Sequence, residues 1–300
     1  MREGIVVTTF AGSSPQHVFV GDVQGCADEF GELVARLRNR FGDEFELHSV
    51  GDLVNRGPDN LRVLENMREL VEEGRGHHVL GNHEIALIAV LLGLREVGER
   101  DTLGDVLESA EAAEWLDWLR ARPVLECGEL SGQGYVLVHA SVHPDWSMED
   151  CEAGGARVHA QLAQTDLDGV RRFLSQQISE VAAHSERDVL GRLVSCRGVN
   201  GAAWSSKKPS EPSEEPWHRA WQRRGHDYGV VYGHWATQGL HLAPGLRGLD
   251  TGCVHHGRGR DGFLTAWLPA VERDPDGRAP FDVPEPVLWQ IPARRRYYFY

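Results

Sequence analysis

The chain has 300 residues, 41% hydrophobic and 25% charged, enough for an ordinary globular protein with a sizeable core. Its net charge of −14, from 31 basic against 45 acidic residues, argues against nonspecific binding to DNA or to an anionic membrane, which needs a basic face. Cys26, Cys127, Cys151, Cys196 and Cys253 are scattered and lack CxxC spacing, which reads as reduced thiols in a cytoplasmic protein.

The opening MREGIVVTTFAG has too short an apolar centre for a signal peptide and is expected to form a first strand. HVFV (17–20) then runs into Gly21-Asp22, ELHSV (46–50) into Gly51-Asp52, and HHVL (77–80) into Gly81-Asn82-His83. Between them, Phe30, Leu33, Val34 and Leu37 keep helical spacing, as do Leu61, Leu64, Met67, Leu70 and Val71. Pro58 suits the first turn of that second helix. The alternation predicts a βαβαβ unit with a parallel sheet. Its strands end along one edge, where Asp22, Asp52 and Asn82 converge although each is 30 residues from the next.

IALIAVLLGL (85–94) fits a buried helix, being far shorter than the roughly 18 apolar residues of a membrane span. YVLV (135–138) ends at His139. The stretch 141–226 lacks the strand–Gly–acid pattern and is expected to form an inserted, mostly helical cap over the strand ends. Within it LDGVRRFLSQQISEVAAH (167–184) reads as one amphipathic helix, and the proline-rich SSKKPSEPSEEP (205–216) as a mobile linker. YGVVYGH (228–234), ending at His234, and GLDTG (248–252) resume the sheet.

Asp22, Gln24, Asp52, Asn82, His139 and His234 supply hard oxygens and imidazoles, the donor types of a divalent metal site that needs no thiolate. Asp52 could bridge two ions by giving one oxygen to each, and two ions some 3.5–4 Å apart can activate water and clamp a phosphate. His83 could protonate a leaving oxygen, and the Arg56 fork matches phosphate oxygens. Taken singly, each feature has an ordinary reading: a glycine–acid pair as a turn, Asn82 as an Asx turn, Arg56 as a helix-capping ion pair. The joint order along one sheet edge is what argues for chemistry.

GDVQG (21–25), GDLVNRG (51–57), GNHE (81–84), VHA (138–140) and GHW (233–235) resemble the five blocks of the PPP-type calcineurin-like metallophosphoesterases. GDVQGCADEF, GNHEIALIAV and YGHWA followed by LDTGC (249–253) are similar to the bacterial symmetrical diadenosine tetraphosphatases within that superfamily. The resemblance spans roughly residues 17–268 and is weak in 141–226. It implies an α/β four-layer sandwich, two central β-sheets flanked by helices, in a single domain over 1–300. It implies two divalent cations, manganese or cobalt, one held by Asp22, Gln24 and Asp52, the other by Asp52, Asn82, His139 and His234.

On the same resemblance, His83 is the general acid, Arg56 binds phosphate with Asn82 beside it, and Arg197 is the candidate second phosphate ligand, with Arg192 behind it. The implied reaction is hydrolysis of Ap4A to two ADP, with tetraphosphate-capped RNA 5′ ends as chemically equivalent substrates. A protein serine/threonine phosphatase with the same metal chemistry is the alternative, and a binding module that has lost catalysis is a third reading. Two departures bear on the choice. Asn55 stands where protein phosphatases carry an acid that orients and charges the catalytic histidine. Gln24 stands where the widespread motif has histidine, which favours the tetraphosphatase reading.

Several further features have structural readings first. HHGRGRDG (255–262) reads as a solvated hairpin loop, Cys26 and Cys253 as two buried thiols near the site, and Trp115 with Trp118 as core. Trp204 and Trp217 flank the linker and are the better candidates to meet an adenine. The RRRYYFY tail (294–300) carries no decisive pattern.

Overall fold

A computed structural model describes residues 15–201, 203–269 and 276–297, so the expected first strand lies outside the described residues. In chain order, β1 (Gln16–Val20), α1 (Ala27–Phe41), β2 (Phe45–Ser49), α2 (Asn60–Glu72) and β3 (Gly76–His78) form the expected βαβαβ unit. β1 pairs in parallel with β2, and β2 with β3. Then follow α3 (Asn82–Leu91), α4 (Gly104–Leu107), α5 (Ala112–Arg120), β4 (Leu125–Leu130), β5 (Gln133–Val138), α6 (Met148–Ala163), α7 (Leu167–Ser175) and α8 (Glu186–Ser195). The remainder is β6 (Gly198–Asn200), β7 (Ala203–Ser205), β8 (Glu215–Pro216), α9 (Trp217–Gln222), β9 (Gly229–Tyr232), β10 (His241–Ala243), β11 (Leu246–Gly248), β12 (Phe263–Trp267) and β13 (Leu288–Pro292).

Two mixed five-stranded sheets lie at the centre, ordered β13-β12-β1-β2-β3 and β10-β11-β9-β5-β4. The stretch 228–234, expected to resume the first sheet, instead supplies β9 of the second, and 248–252 is mostly the loop that leaves β11, with one bridge from Gly252 to Phe263 of β12. In the second sheet β5, β9 and β11 run parallel to one another. The apolar faces of the two sheets meet through Phe19, Tyr135, Leu137, Val231, Trp267 and Phe281. Phe19 stacks on Trp267 and meets Tyr135 edge-on, with centroids 5.3 and 5.2 Å away. Each such side chain contributes roughly 1.5–3 kcal/mol by leaving water, and Phe19→Ala would cost about 3–5 kcal/mol.

The outer face of the first sheet is covered by α1 and α2, whose helical spacing puts Phe30, Leu33 and Leu37, then Leu64, Met67 and Leu70, into the core. Pro58 lies just ahead of α2 rather than in its first turn, because Asp59 is the capping residue. On the second sheet α6 packs against β4 and β5, and α8 packs against α6. The helix expected over 167–184 ends at Ser175, and residues 178–180 form a separate 3-10 turn. A small sheet of β7, β6 and β8 carries the segment 206–208 toward the strand ends. Trp115 is fully buried and meets Trp118 edge-on, as expected of core. Trp217 is also fully buried, so it cannot present a face to a base. No helix among the described residues is long and apolar enough to cross a membrane.

Candidate active site

Asp22 follows β1, Asp52 follows β2 and Asn82 opens α3 just past β3, while His139 follows β5 and His234 follows β9. The carboxyl ends of the parallel strands of both sheets therefore face one place. A cavity of about 440 Å³ lies there, lined by Gln24, Asp52, Arg56, Asn82, His83, Arg197, His234 and Asp250 among others. Asp52, His139 and His234 each bring one ligand-type atom within 4.8 Å of the others. His139 Nε2 is 3.3 Å from Asp52 Oδ2 and 3.1 Å from Asn82 Oδ1. Asp22 accepts from the His234 backbone N–H at 3.1 Å, which ties the end of β1 to the end of β9.

This convergence needs unusual backbone. Gln24, Asp52, Asn55, Arg56 and His234 have φ between 49° and 76°, five of the seven non-glycine residues with positive φ among those described. Such strain, of order 1–3 kcal/mol each, gathers at functional sites. Two glycines are obligatory for a different reason. A Cβ on Gly81 would strike the Asp52 carboxylate, and one on Gly233 the Asp22 carboxylate. The loop after β2 is further held by Glu84, whose carboxylate accepts from the backbone of Asp52 and Gly81 at 2.8 Å and of Val54 at 3.2 Å.

Behind His83 stands Asn55, fully enclosed and not part of the cavity wall. Its Oδ1 accepts from the backbone N–H groups of Arg56 (2.8 Å) and Thr102 (3.0 Å). Those two donors fix the amide orientation, so Nδ2 faces His83 Nδ1 at 3.0 Å and donates to Asp101 Oδ1 at 2.9 Å. His83 Nδ1 is then the acceptor, and the ring carries its proton on Nε2, which lies 3.7 Å from Asp52 Oδ2. Asp101 also pairs with Arg56 Nη1 at 3.1 Å, so it stands near the charge-bearing place that Asn55 leaves neutral.

The field is strongly negative at the strand ends. Burial, then Asp250 and Asp52, pushes the Asp22 carboxyl well up, and burial with Asp52 nearby pushes Asp250 to about 6. Glu84 is pushed to about 7 by burial and by Asp52. Burial would raise Asp52 too, but the His139 and His83 rings outweigh it and hold that carboxyl low. Burial lowers His83, with Arg56 and His139 adding to the effect, and it lowers His234 well below the usual imidazole range.

Toward solvent the sign reverses. Arg56, Arg197, Lys207 and Lys208 line the same cavity, and these two lysines are the only ones in the chain. Arg197 is placed by donating to Ser206 O (2.7 Å) and His234 O (3.0 Å). Arg192 is buried on α8 and lies away from the cavity wall.

Residues 17–257 match the family model described as calcineurin-like phosphoesterase. The chain belongs to the calcineurin-like phosphoesterases. It is 34% identical over 260 residues to the symmetrical bis(5'-nucleosyl)-tetraphosphatase of Ralstonia nicotianae, covering 82% of this chain and 88% of that one. To the protein of the same name from Shewanella sp. (strain ANA-3) it is 36% identical over 270 residues, 84% and 93% of the two chains. The fold matches a crystal structure named as a candidate diadenosine tetraphosphatase with a TM-score of 0.58 at 21% identity, covering 94% and 96% of the chains. It matches a protein serine/threonine phosphatase from Saccharomyces cerevisiae with a TM-score of 0.52 at 14% identity, covering 93% and 80%.

A calcineurin-like phosphoesterase implies divalent cations, and these residues fit them. The donor set is carboxylate, amide and imidazole, and burial lowers His234, which favours the ligating form of that ring. Asp22, Asp52 and Asp250 are enclosed together, a crowding of negative charge that dications relieve.

Asp250, Glu84, Asp101, Lys207 and Lys208 all take part in the site or its support and were not picked out as site residues from the sequence. Asp250 does follow a strand, β11, as the other acids do. Nothing near Asp101 marks it as a site residue, since its partners in the site, Arg56 and Asn55, are 45 and 46 residues away. The HHGRGRDG segment is not only a solvated loop. His255, Arg258 and Arg260 line a second cleft that shares Thr237 and His255 with the catalytic cavity. Cys26 and Cys253 are buried, and their sulfurs and the Glu29 carboxylate lie within 4.8 Å of one another.

Proposed function

We propose that this phosphoesterase hydrolyses dinucleoside polyphosphates, splitting Ap4A at its centre into two ADP. The observation that carries the reading is a cavity negative at its base and basic at its mouth, with clefts leading away on two sides. One side cleft has Arg258 and Arg260 and shares Thr237 and His255 with the centre. The other, of about 600 Å³, has Trp204 and Ile178 and shares Ser206 and Lys207. A tetraphosphate bridge across the centre would send one nucleoside into each. The relatives at 34–36% identity carry the name of this activity.

Asp22, Gln24 and Asp52 would hold one divalent cation, and Asp52, Asn82, His139 and His234 the other, with manganese or cobalt suited to the mixed oxygen and imidazole donors. When bound, such a pair supplies Lewis-acid activation of phosphate and lowers the pKa of water. The chain's own groups do the rest. Arg56 and Arg197 bind phosphate oxygens from opposite walls, and the mouth lysines draw the polyanion in. His83 directs its Nε2–H at the departing phosphate oxygen and stabilises the charge there through a hydrogen bond, while Asn55 keeps the neutral ring in that tautomer. His83 is thus the catalytic donor and Asn55 a positioning residue.

RNA 5′ ends bearing the same tetraphosphate bridge meet the same groups and are included as substrates. All five cysteines are free, which supports a cytoplasmic setting. The test against the protein phosphatase reading is the rate on Ap4A compared with a phosphopeptide in the presence of manganese. The proposal requires a large preference for Ap4A, and preference for the phosphopeptide would overturn it.

A further inference from the structure

At the other end of the first sheet, near the amino ends of β1 and β2, His17, Glu46, His48, His77 and Glu126 are among the residues lining a cavity of about 450 Å³. His17 is the register partner of Glu46 across β1 and β2, and His48 that of His77 across β2 and β3. Period-two alternation puts His17 with Phe19, and Glu46 with His48, on one face of the sheet. That face meets the second sheet, as the edge-on contact of Phe19 with Tyr135 shows. Glu126 on β4 closes the group from the opposite side.

The distances are those of a chelate. His17 Nδ1 and His48 Nε2 stand 3.0 Å apart, and Glu46 Oε2 is 3.4 Å from the first and 3.8 Å from the second. Zinc–nitrogen and zinc–oxygen bonds of about 2.0–2.1 Å give a tetrahedron whose edges measure about 3.3–3.4 Å. The three observed separations bracket that value. His77 Nε2 lies 3.7 Å from the same Glu46 oxygen, and its Nδ1 faces Glu126 Oε2 at 3.5 Å. His77 thus stands between the two glutamates and braces Glu46 from behind.

His48 is 2% exposed, and the nitrogen it turns toward His17 Nδ1 and Glu46 Oε2 is Nε2. Two imidazole nitrogens facing each other beside a carboxylate oxygen can share only one proton between them, whereas a cation uses a lone pair from all three.

We propose that His17, His48 and Glu46 bind one divalent transition-metal ion of the zinc class, with a solvent oxygen as the fourth ligand and His77 bracing Glu46. This site is separate from the catalytic cavity, with which it shares no lining residue. Its ligands come from β1 and β2 and its support from β3 and β4. The bound ion therefore fastens the first two strands together at the end remote from the reaction.

The test is zinc content by mass spectrometry after equilibrium dialysis against buffered zinc, with zinc alone as the probe. Wild type is compared with His17→Ala and Glu46→Gln, both at partly exposed positions that leave the core intact. Wild type is expected to hold one equivalent of zinc more than either variant, and its zinc-induced rise in Tm is expected to shrink in both. Manganese-supported turnover should remain within about twofold, since neither residue touches the catalytic cavity. Cobalt loading gives an independent readout, because a tetrahedral nitrogen–oxygen site absorbs in the visible and this band should be missing in the variants. Equal zinc content and equal Tm response in all three proteins would overturn the proposal. The readout is metal stoichiometry, so it holds whether or not Ap4A proves to be the substrate.

Discussion

Replacing Asn55 by aspartate converts a neutral relay into a charged one at constant shape. The retained oxygen keeps its bonds from the Arg56 and Thr102 amides. The new oxygen takes the place of Nδ2, 3.0 Å from His83 Nδ1 and 2.9 Å from Asp101 Oδ1. Two charges about 4 Å apart at an effective dielectric near 20 interact by about 4 kcal/mol. Attraction to a protonated His83 and repulsion from Asp101 are thus of similar size and oppose each other.

The single variant should therefore lose about 2–4 kcal/mol of stability, since Asp101 has only 5% of its side chain exposed and cannot escape into water. That corresponds to a Tm fall of about 3–6 °C for a chain of this length. Asn55→Asp with Asp101→Asn removes the repulsion and leaves the attraction. In this double variant the His83 pKa, lowered in the native protein, should rise. The imidazolium is populated below its pKa and lost above it, so the kcat inflection that reports His83 should move to higher pH by about one to two units, at ~1.4 kcal/mol per unit. The assays are thermal unfolding and a kcat–pH profile on Ap4A from pH 5.5 to 9. Single and double variants with the Tm and profile of wild type would refute the Asn55–His83–Asp101 arrangement.

Four further outcomes are expected. His83→Ala should lose at least a hundredfold in kcat while metal content is unchanged, and retained turnover would remove His83 from the donor role. Lys207→Ala with Lys208→Ala should raise KM for Ap4A about tenfold at low salt with kcat preserved, the difference shrinking as ionic strength rises. Gly233→Ala should drive its Cβ into the Asp22 carboxylate and reduce bound manganese, which metal analysis measures directly. In metal-stripped protein Asp250, whose pKa is raised to about 6, favours the folded state while protonated. Stability should then fall as pH rises from about 4 through 6, by about 2–3 kcal/mol, and Asp250→Asn should flatten that slope in thermal melts.

The sequence was most legible where chemistry and periodicity coincide. Apolar runs ending in a polar ligand, four of them through a glycine, marked β1, β2, β3, β5 and β9, and helical spacing marked α1 and α2. What periodicity could not convey is which strands share a sheet, because long-range pairing is decided by packing. Hence 228–234, expected in the first sheet, belongs to the second, and 248–252 is mostly the loop after β11 rather than a strand. The helix over 167–184 was overextended because Gln176 adopts an extended backbone and stops α7 despite the apolar residues beyond it.

At the site, the residues ending strands were readable and those arriving from loops were not. Asp101 reaches Asn55 from a turn far along the chain, and Lys207 and Lys208 reach the mouth from a segment that reads as a linker. The His17–Glu46–His48 cluster is invisible in one dimension, since its members belong to separate strands and only the sheet register brings them together.

Chromatography of the products of Ap4A with added manganese tests the central claim most directly. Cleavage at the middle of the bridge, with one nucleoside in each side cleft, predicts ADP as the sole nucleotide product; ATP and AMP in equal amounts would contradict it.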